Sequence, residues 1–149
     1  MYTSIVTGTD GSATAAEAVR RAIALAAATS AALHIVGAFR PPSRAMTFGP
    51  EAGFVAAQGH GGWDAEAHES VQAMLERIAA EDVPAGVKVT LHALPLAPVD
   101  ALLEVAAAER AELIVVGNRG MSGIRRTLGS VPNAVAHKAD CDVLIVATT

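Results

Sequence analysis

Apolar positions along the chain follow two alternating rhythms. Short apolar runs at Ser4–Thr7, Leu33–Phe39, Leu113–Val116 and Val143–Ala147 are separated by stretches in which apolar residues return every three or four positions. The runs predict strands and the stretches amphipathic helices. Ala15, Ala18, Val19, Ala22, Ile23 and Ala26 mark a first helix. Either Ser12 or Thr14 caps it, the latter forming a capping box with Glu17. A second helix carries Ala67, Val71, Met74, Leu75 and Ile78 on one face and closes at Pro84 and Gly86. Pro98 opens a third, with Leu102, Val105 and Ala106, because the first helical turn tolerates a missing N–H. Ser130–Ala139 is a short fourth, with Pro132 in its first turn.

Two strands differ in character. Val87, Val89, Leu91 and Ala93 alternate with Lys88, Thr90 and His92, the pattern of a half-exposed strand. Leu113–Val116 is apolar throughout, as a central parallel strand buried on both faces requires. Arg40-Pro41-Pro42 stops the second strand, and from 41 to 62 the weakly periodic Pro, Gly and Ala content predicts a long surface loop. Strands alternating with helices imply an α/β fold with a parallel sheet and right-handed crossovers. The 149 residues suffice for one domain, 1–149, with no internal repeat or low-complexity tract.

Composition narrows the function classes. Apolar residues make up 52% of the chain and charged ones 17%, which argues against disorder. Aromatics are 3%, so little surface is available for base stacking, and a net charge of −4 argues against duplex nucleic acid or an anionic membrane as partner. Cys141 is the only cysteine, which excludes an intrachain disulfide; it reads as a small buried spacer rather than a reactive thiol. No basic-then-apolar leader and no stretch of membrane-spanning length is evident, so the expected location is cytoplasmic.

The chemistry concentrates in Glu112–Asn133. Strand Leu113–Val116 runs into Gly117, then Gly120, Gly123 and Gly129-Ser130 before a helix. Glycine lets a ligand approach the backbone N–H groups, and a helix start adds unpaired donors and partial positive charge. That order builds a phosphate cradle, although four glycines also serve tight turns. It is not a Walker A loop, since no Gly-Lys-Ser/Thr follows, nor a dinucleotide fingerprint, since Gly117 and Gly120 lie outside the first strand–helix turn. Asp10, after the first strand, meets Gly117 at the switch point if those strands are neighbours. Asp before Gly also takes turn roles. Arg119, Arg125 and Arg126 serve either as phosphate partners or as a solvated face. His34, His60, His68, His92 and His137 are scattered without metal-ligand spacing, so no metal site is expected. No nucleophile–base pair is recoverable for Ser122 or Ser130.

The segment Gly117-x2-Gly120 with Gly129-Ser130 resembles the signature of the universal stress protein family, Gly-x2-Gly-x9-Gly-Ser/Thr. The resemblance extends to Thr9-Asp10-Gly11-Ser12, to the Cys141–Val146 strand and to the element order over essentially the whole chain. One departure is visible: residues 121–128 form a spacer of eight where the family has nine, which shortens the loop. The resemblance implies an open, Rossmann-like five-stranded parallel sheet of order 3-2-1-4-5, helices on both faces, and a homodimer. It implies that Asp10, with Thr9 beside it, meets the ribose hydroxyls and that Ala38 offers backbone groups to adenine. Val116 and Gly117 would lie against adenine and ribose, while Gly120, Gly129, Ser130 and Val131 hold the phosphates.

The function expected on this basis is binding of an adenine nucleotide, ATP (with Mg²⁺ as a possible companion) or cyclic AMP, as a stress-response or signalling ligand. Phosphate would order Gly117–Ser130 and the 41–62 loop, altering the surface shown to protein partners. Slow ATP hydrolysis is a rival that lacks an evident base or clustered metal carboxylates. A nucleotide-free interaction module is a third reading. Dimerisation has a physical side as well: Val143–Ala147, as an edge strand apolar on both faces, invites a partner.

Overall fold

The computed structural model describes residues 1–39, 52–119 and 130–148, with the backbone alone for 52–64. In chain order the elements are β1 (Ser4–Gly8), α1 (Ala13–Thr29), β2 (Ala32–Ala38), α2 (Ala52–Asp82), β3 (Val89–Leu94), α3 (Pro98–Ala108), β4 (Leu113–Gly117), α4 (Ser130–Lys138) and β5 (Asp142–Val146). The strands form one sheet, order β3-β2-β1-β4-β5, with every pairing parallel. The expected architecture and strand order are therefore present. Thr7 and Val115 face each other in register, which places the ends of β1 and β4 side by side at the point where the strand order reverses.

Two apolar cores sandwich the sheet. On one face Ile5, Leu33, Ile35, Leu113 and Val115 meet Val19, Ala22, Ile23 and Ala26 of α1 and Leu75 of α2. On the other, Val6, Val36, Ile114 and Val116 meet Ala101, Leu102 and Val105 of α3 and Val135 of α4. Alternate residues of each buried strand serve opposite cores, which is why β4 is apolar at every position.

Two local expectations are resolved differently. Ser12, not Thr14, caps α1: its Oγ accepts from the Ala15 N–H at 3.2 Å, and Thr14 lies inside the first turn with its hydroxyl 3.1 Å from Ser12 Oγ. The surface loop expected over 41–62 is contradicted from Ala52 onward, where α2 has already begun; 40–51 lie outside the described residues. Gly53, Gly59, Gly61 and Gly62 erode the helical signal at about 1 kcal/mol each. Ala52, Ala56, Ala57 and Gln58 are helix formers, and extending a nucleated helix costs less than starting one. Strand β3 behaves as an alternating edge strand, with Lys88 and Thr90 exposed and His92, on the same face as Thr90, half-buried.

Candidate functional site

The chain leaves β1 through a sequence of local hydrogen bonds that set the shape of the loop. The Thr9 N–H donates to the Val36 carbonyl at 2.9 Å, prolonging the sheet by one residue. Thr9 Oγ1 accepts from the Gly11 N–H at 3.1 Å, and Asp10 Oδ1 accepts from the Ser12 N–H at 2.9 Å. Gly11 has φ +82°, a left-handed conformation that a side chain disfavours. Asp10 thus takes the turn role that its position before glycine suggested. A carboxylate has about four acceptor sites, so an exposed Asp10 retains capacity for donors from solvent or a ligand.

Strand β4 ends one register step away. The Asn118 N–H donates to the Val146 carbonyl at 2.8 Å, and Asn118 Oδ1 accepts from both the N–H and the hydroxyl of Thr148, at 2.9 and 2.8 Å. This clamp brings buried Thr148 against Gly117, where an added Cβ would sit 3.2 Å from Thr148 Cγ2. A side chain there would force Thr148 to give by a few tenths of an ångström.

Between these strand ends lies an open cleft of about 170 Å³. Its floor is apolar, made by Val36 of β2, Leu102 of α3 and Val116 of β4. Thr9 and Asp10 form a polar rim, and Ala38, Pro98 and Gly117 complete the walls. Val131, the second residue of α4, also lines it, so the start of that helix adjoins the cleft. Helix starts present unpaired N–H groups and favour negative charge. An apolar slot with a carboxylate at its lip and a helix start at one side suits a ligand with a flat apolar ring, hydroxyls and an anionic group.

Of the residues singled out in the sequence, Thr9, Asp10, Ala38, Val116, Gly117 and Val131 converge on this cleft. Ser130 is exposed at the start of α4, and Arg119 is exposed just beyond β4; neither lines the cleft. Gly120, Gly129, Arg125 and Arg126 lie outside the described residues. Sequence reasoning missed Val36 and Leu102, which read there only as strand and helix core, Pro98, which read there only as a helix start, and the Asn118–Thr148 clamp. No local pattern links residues thirty positions apart.

The universal stress protein family model matches residues 1–147. The chain belongs to that family. A universal stress protein of Mycobacterium tuberculosis is 40% identical over 154 aligned positions, covering 99% of this chain and 98% of the relative. Another, from Methanocaldococcus jannaschii, is 31% identical over 98% of this chain and 82% of its own length. Among solved structures, a universal stress protein in complex with cyclic AMP is 36% identical, with a TM-score of 0.66 over 99% of this chain and 98% of that one. This universal stress protein also shares its fold with the hypothetical protein MJ0577, at 21% identity and a TM-score of 0.78 over 100% of this chain and 98% of that one.

Cys141 of this universal stress protein is half-buried beside the α3–α4 core. Burial and then the neighbouring Asp142 and Asp140 carboxylates push its thiol above the usual value, which suits a packing role and disfavours thiolate chemistry. Among the described residues, no helix is long and apolar enough to cross a membrane.

Proposed function

We propose that this universal stress protein binds an adenine nucleotide in the cleft between β1 and β4, as a ligand that alters its surface rather than as a rapidly turned-over substrate. The observation that carries this reading is the convergence of Asp10, Val116, Gly117 and Val131 on one apolar-floored slot beside a helix start. Asp10 accepts from the ribose hydroxyls, Val36, Leu102 and Val116 support the base, and the backbone at Ala38 sets its edge. Gly117 lies against base and ribose, and Gly120, Gly129, Ser130 and Val131 supply main-chain donors to phosphate.

Between the two candidate ligands, cyclic AMP is favoured. The relative at 36% identity is in complex with it, and a spacer of eight residues at 121–128 matches a ligand with a single phosphate. ATP, accompanied by Mg²⁺, is the second reading. It draws support from the glycine signature and from Arg119, Arg125 and Arg126, whose charges complement further phosphates.

The protein acts as a homodimer in this reading, paired through β5. The support is the exposed edge of that strand, where Leu144 is 39% exposed and Val143 and Ile145 are half-buried. Analytical ultracentrifugation at micromolar concentration should give a dimer, and Leu144→Lys should give a monomer.

Acid extraction of the purified protein followed by mass spectrometry identifies any co-purifying nucleotide. Calorimetric titration with cyclic AMP, and with ATP in the presence and absence of Mg²⁺, ranks the ligands. Tighter binding of cyclic AMP supports a second-messenger sensor or buffer, and tighter ATP binding reverses the ranking. Absence of binding by both removes the nucleotide reading and leaves an interaction module. Phosphate release above background would point to the slow hydrolase.

A further inference from the structure

On the α3–α4 side of the sheet, the aliphatic pattern is interrupted by two histidines. His34 of β2 is 5% exposed, and His92 of β3, half-buried, lies beside it: His34 Nδ1 and His92 Nε2 are 3.0 Å apart. Glu109, which ends α3, brings Oε2 to 3.9 Å from His34 Nε2. One ligand atom from each of the three residues can be chosen so that all lie within 4.8 Å of one another, and this is the only such group among the described residues.

We propose that His34, His92 and Glu109 form a binding site for a first-row divalent metal ion, with zinc as the probe. Two imidazoles and one carboxylate are an established zinc ligand set, and they leave one coordination position for water. Tetrahedral ligands about 2.1 Å from zinc are roughly 3.4 Å from each other. His92 Nε2 lies 3.0 Å from His34 Nδ1 whereas Glu109 Oε2 lies 3.9 Å from His34 Nε2, so ligation of one ion requires the His34 ring to turn until a single nitrogen faces both partners; Glu109 follows by rotating a long side chain that is 41% exposed. Its exposure also opens the route of entry.

The chemistry of the surroundings agrees. Burial holds both rings below the ordinary histidine value, which favours the neutral form that ligates metal. For His34, the Glu109 charge opposes that shift, while His92 and Lys88 add to it. Lys88 is the nearby cation that opposes metal entry; Glu109 is the charge that compensates it. Without metal, the neutral rings share one hydrogen bond, and metal binding moves its proton to the far nitrogen of the donor ring. The site spans β2, β3 and α3, so an ion there ties the exposed edge strand to the layer that also floors the cleft.

The test uses the full chain stripped with chelator and titrated with zinc chloride, with no nucleotide present, so its failure leaves the cleft reading intact. The expected result is one zinc per chain, a thermal midpoint raised by several degrees, and a visible Co²⁺ spectrum of low-coordinate type. His92→Ala should weaken binding at least about tenfold and abolish the thermal shift. Glu109→Gln, at an exposed side chain, tests the same ligand set should His92→Ala fail to fold. His137→Ala, an exposed histidine on α4, should bind as the parent does. Absence of zinc binding by the parent, or unchanged affinity in both His92→Ala and Glu109→Gln, would overturn the site and leave the histidines as a hydrogen-bonded pair.

Discussion

The two faces of the sheet are built from the same strands but to different ends. The α1–α2 face is closed by helices of 17 and 31 residues, and its core is aliphatic from Ile5 to Leu75. The α3–α4 face is covered by helices of only 11 and 9 residues. At about 1.5 Å per residue these are roughly 16 and 14 Å long, too short to roof both ends of the sheet. The cleft sits over the carboxyl ends of β1 and β4 on that side, and the His34–His92–Glu109 cluster interrupts its packing over β2 and β3. The lesson is a division of labour: one face is committed to stability, and the other keeps openings and polar groups at some cost in packing.

Substitutions can break or sharpen that contrast. The largest effect is expected from Leu75→Ala, which empties a fully buried position on the α1–α2 face and should cost about 2–5 kcal/mol in urea unfolding. Nucleotide affinity of the folded protein should be unchanged; a parallel loss of both would mean the faces are coupled. Asp10→Ala should show the reverse pattern. Removing its charge-assisted acceptor costs about 1.5–3 kcal/mol of nucleotide affinity by calorimetry. Stability should fall by only about 1 kcal/mol, the worth of the Asp10–Ser12 hydrogen bond.

Next in size is the cap of α1. Ser12→Ala should destabilise the protein by about 0.5–2 kcal/mol in thermal or denaturant melts, whereas Thr14→Ala should do less. Equal effects would restore Thr14 as a co-equal cap.

The smallest effect should be a pH dependence in chelator. Both histidines have folded values below the unfolded reference of 6.5, so the unfolded chain takes up more protons once pH falls below about 6.5. Stability conferred by the neutral pair is fully present above that pH and is lost progressively toward the folded values. Thermal midpoints from pH 8 to pH 5 should therefore decline on the acid side, and His92→Ala should flatten part of that slope. Glu112, held low chiefly by the backbone N–H of Thr3, loses stability on acidification through its own depressed value, and Glu112→Gln separates that contribution.

Much of the fold was legible because each element carries its own period. Leu113–Val116 announced a doubly buried strand, and Pro98 announced a helix start. The glycine-rich exit from β4 and the Thr9-Asp10-Gly11-Ser12 turn were visible as local punctuation, and five of the residues chosen from them share one cleft with Ala38, which the family resemblance supplied. What failed was local ambiguity: four glycines hid the first turns of α2, and two hydroxyls competed for one cap.

The periodic pattern and the turn residues by themselves determined that this chain forms alternating strands and helices, with a glycine-rich stretch of sequence after β4. Those features act over a few neighbouring residues, where backbone sterics and amphipathic spacing settle the outcome. Only the tertiary structure decided that Val36 and Leu102 floor the cleft, that Asn118 locks Thr148 against Gly117, and that His34 and His92, 58 residues apart, meet on one face. These depend on parallel strand register, which pairs Val36 with His92 and sets His34 two residues behind. Register is fixed by the packing of the whole sheet against its helices, and no short stretch of sequence contains it.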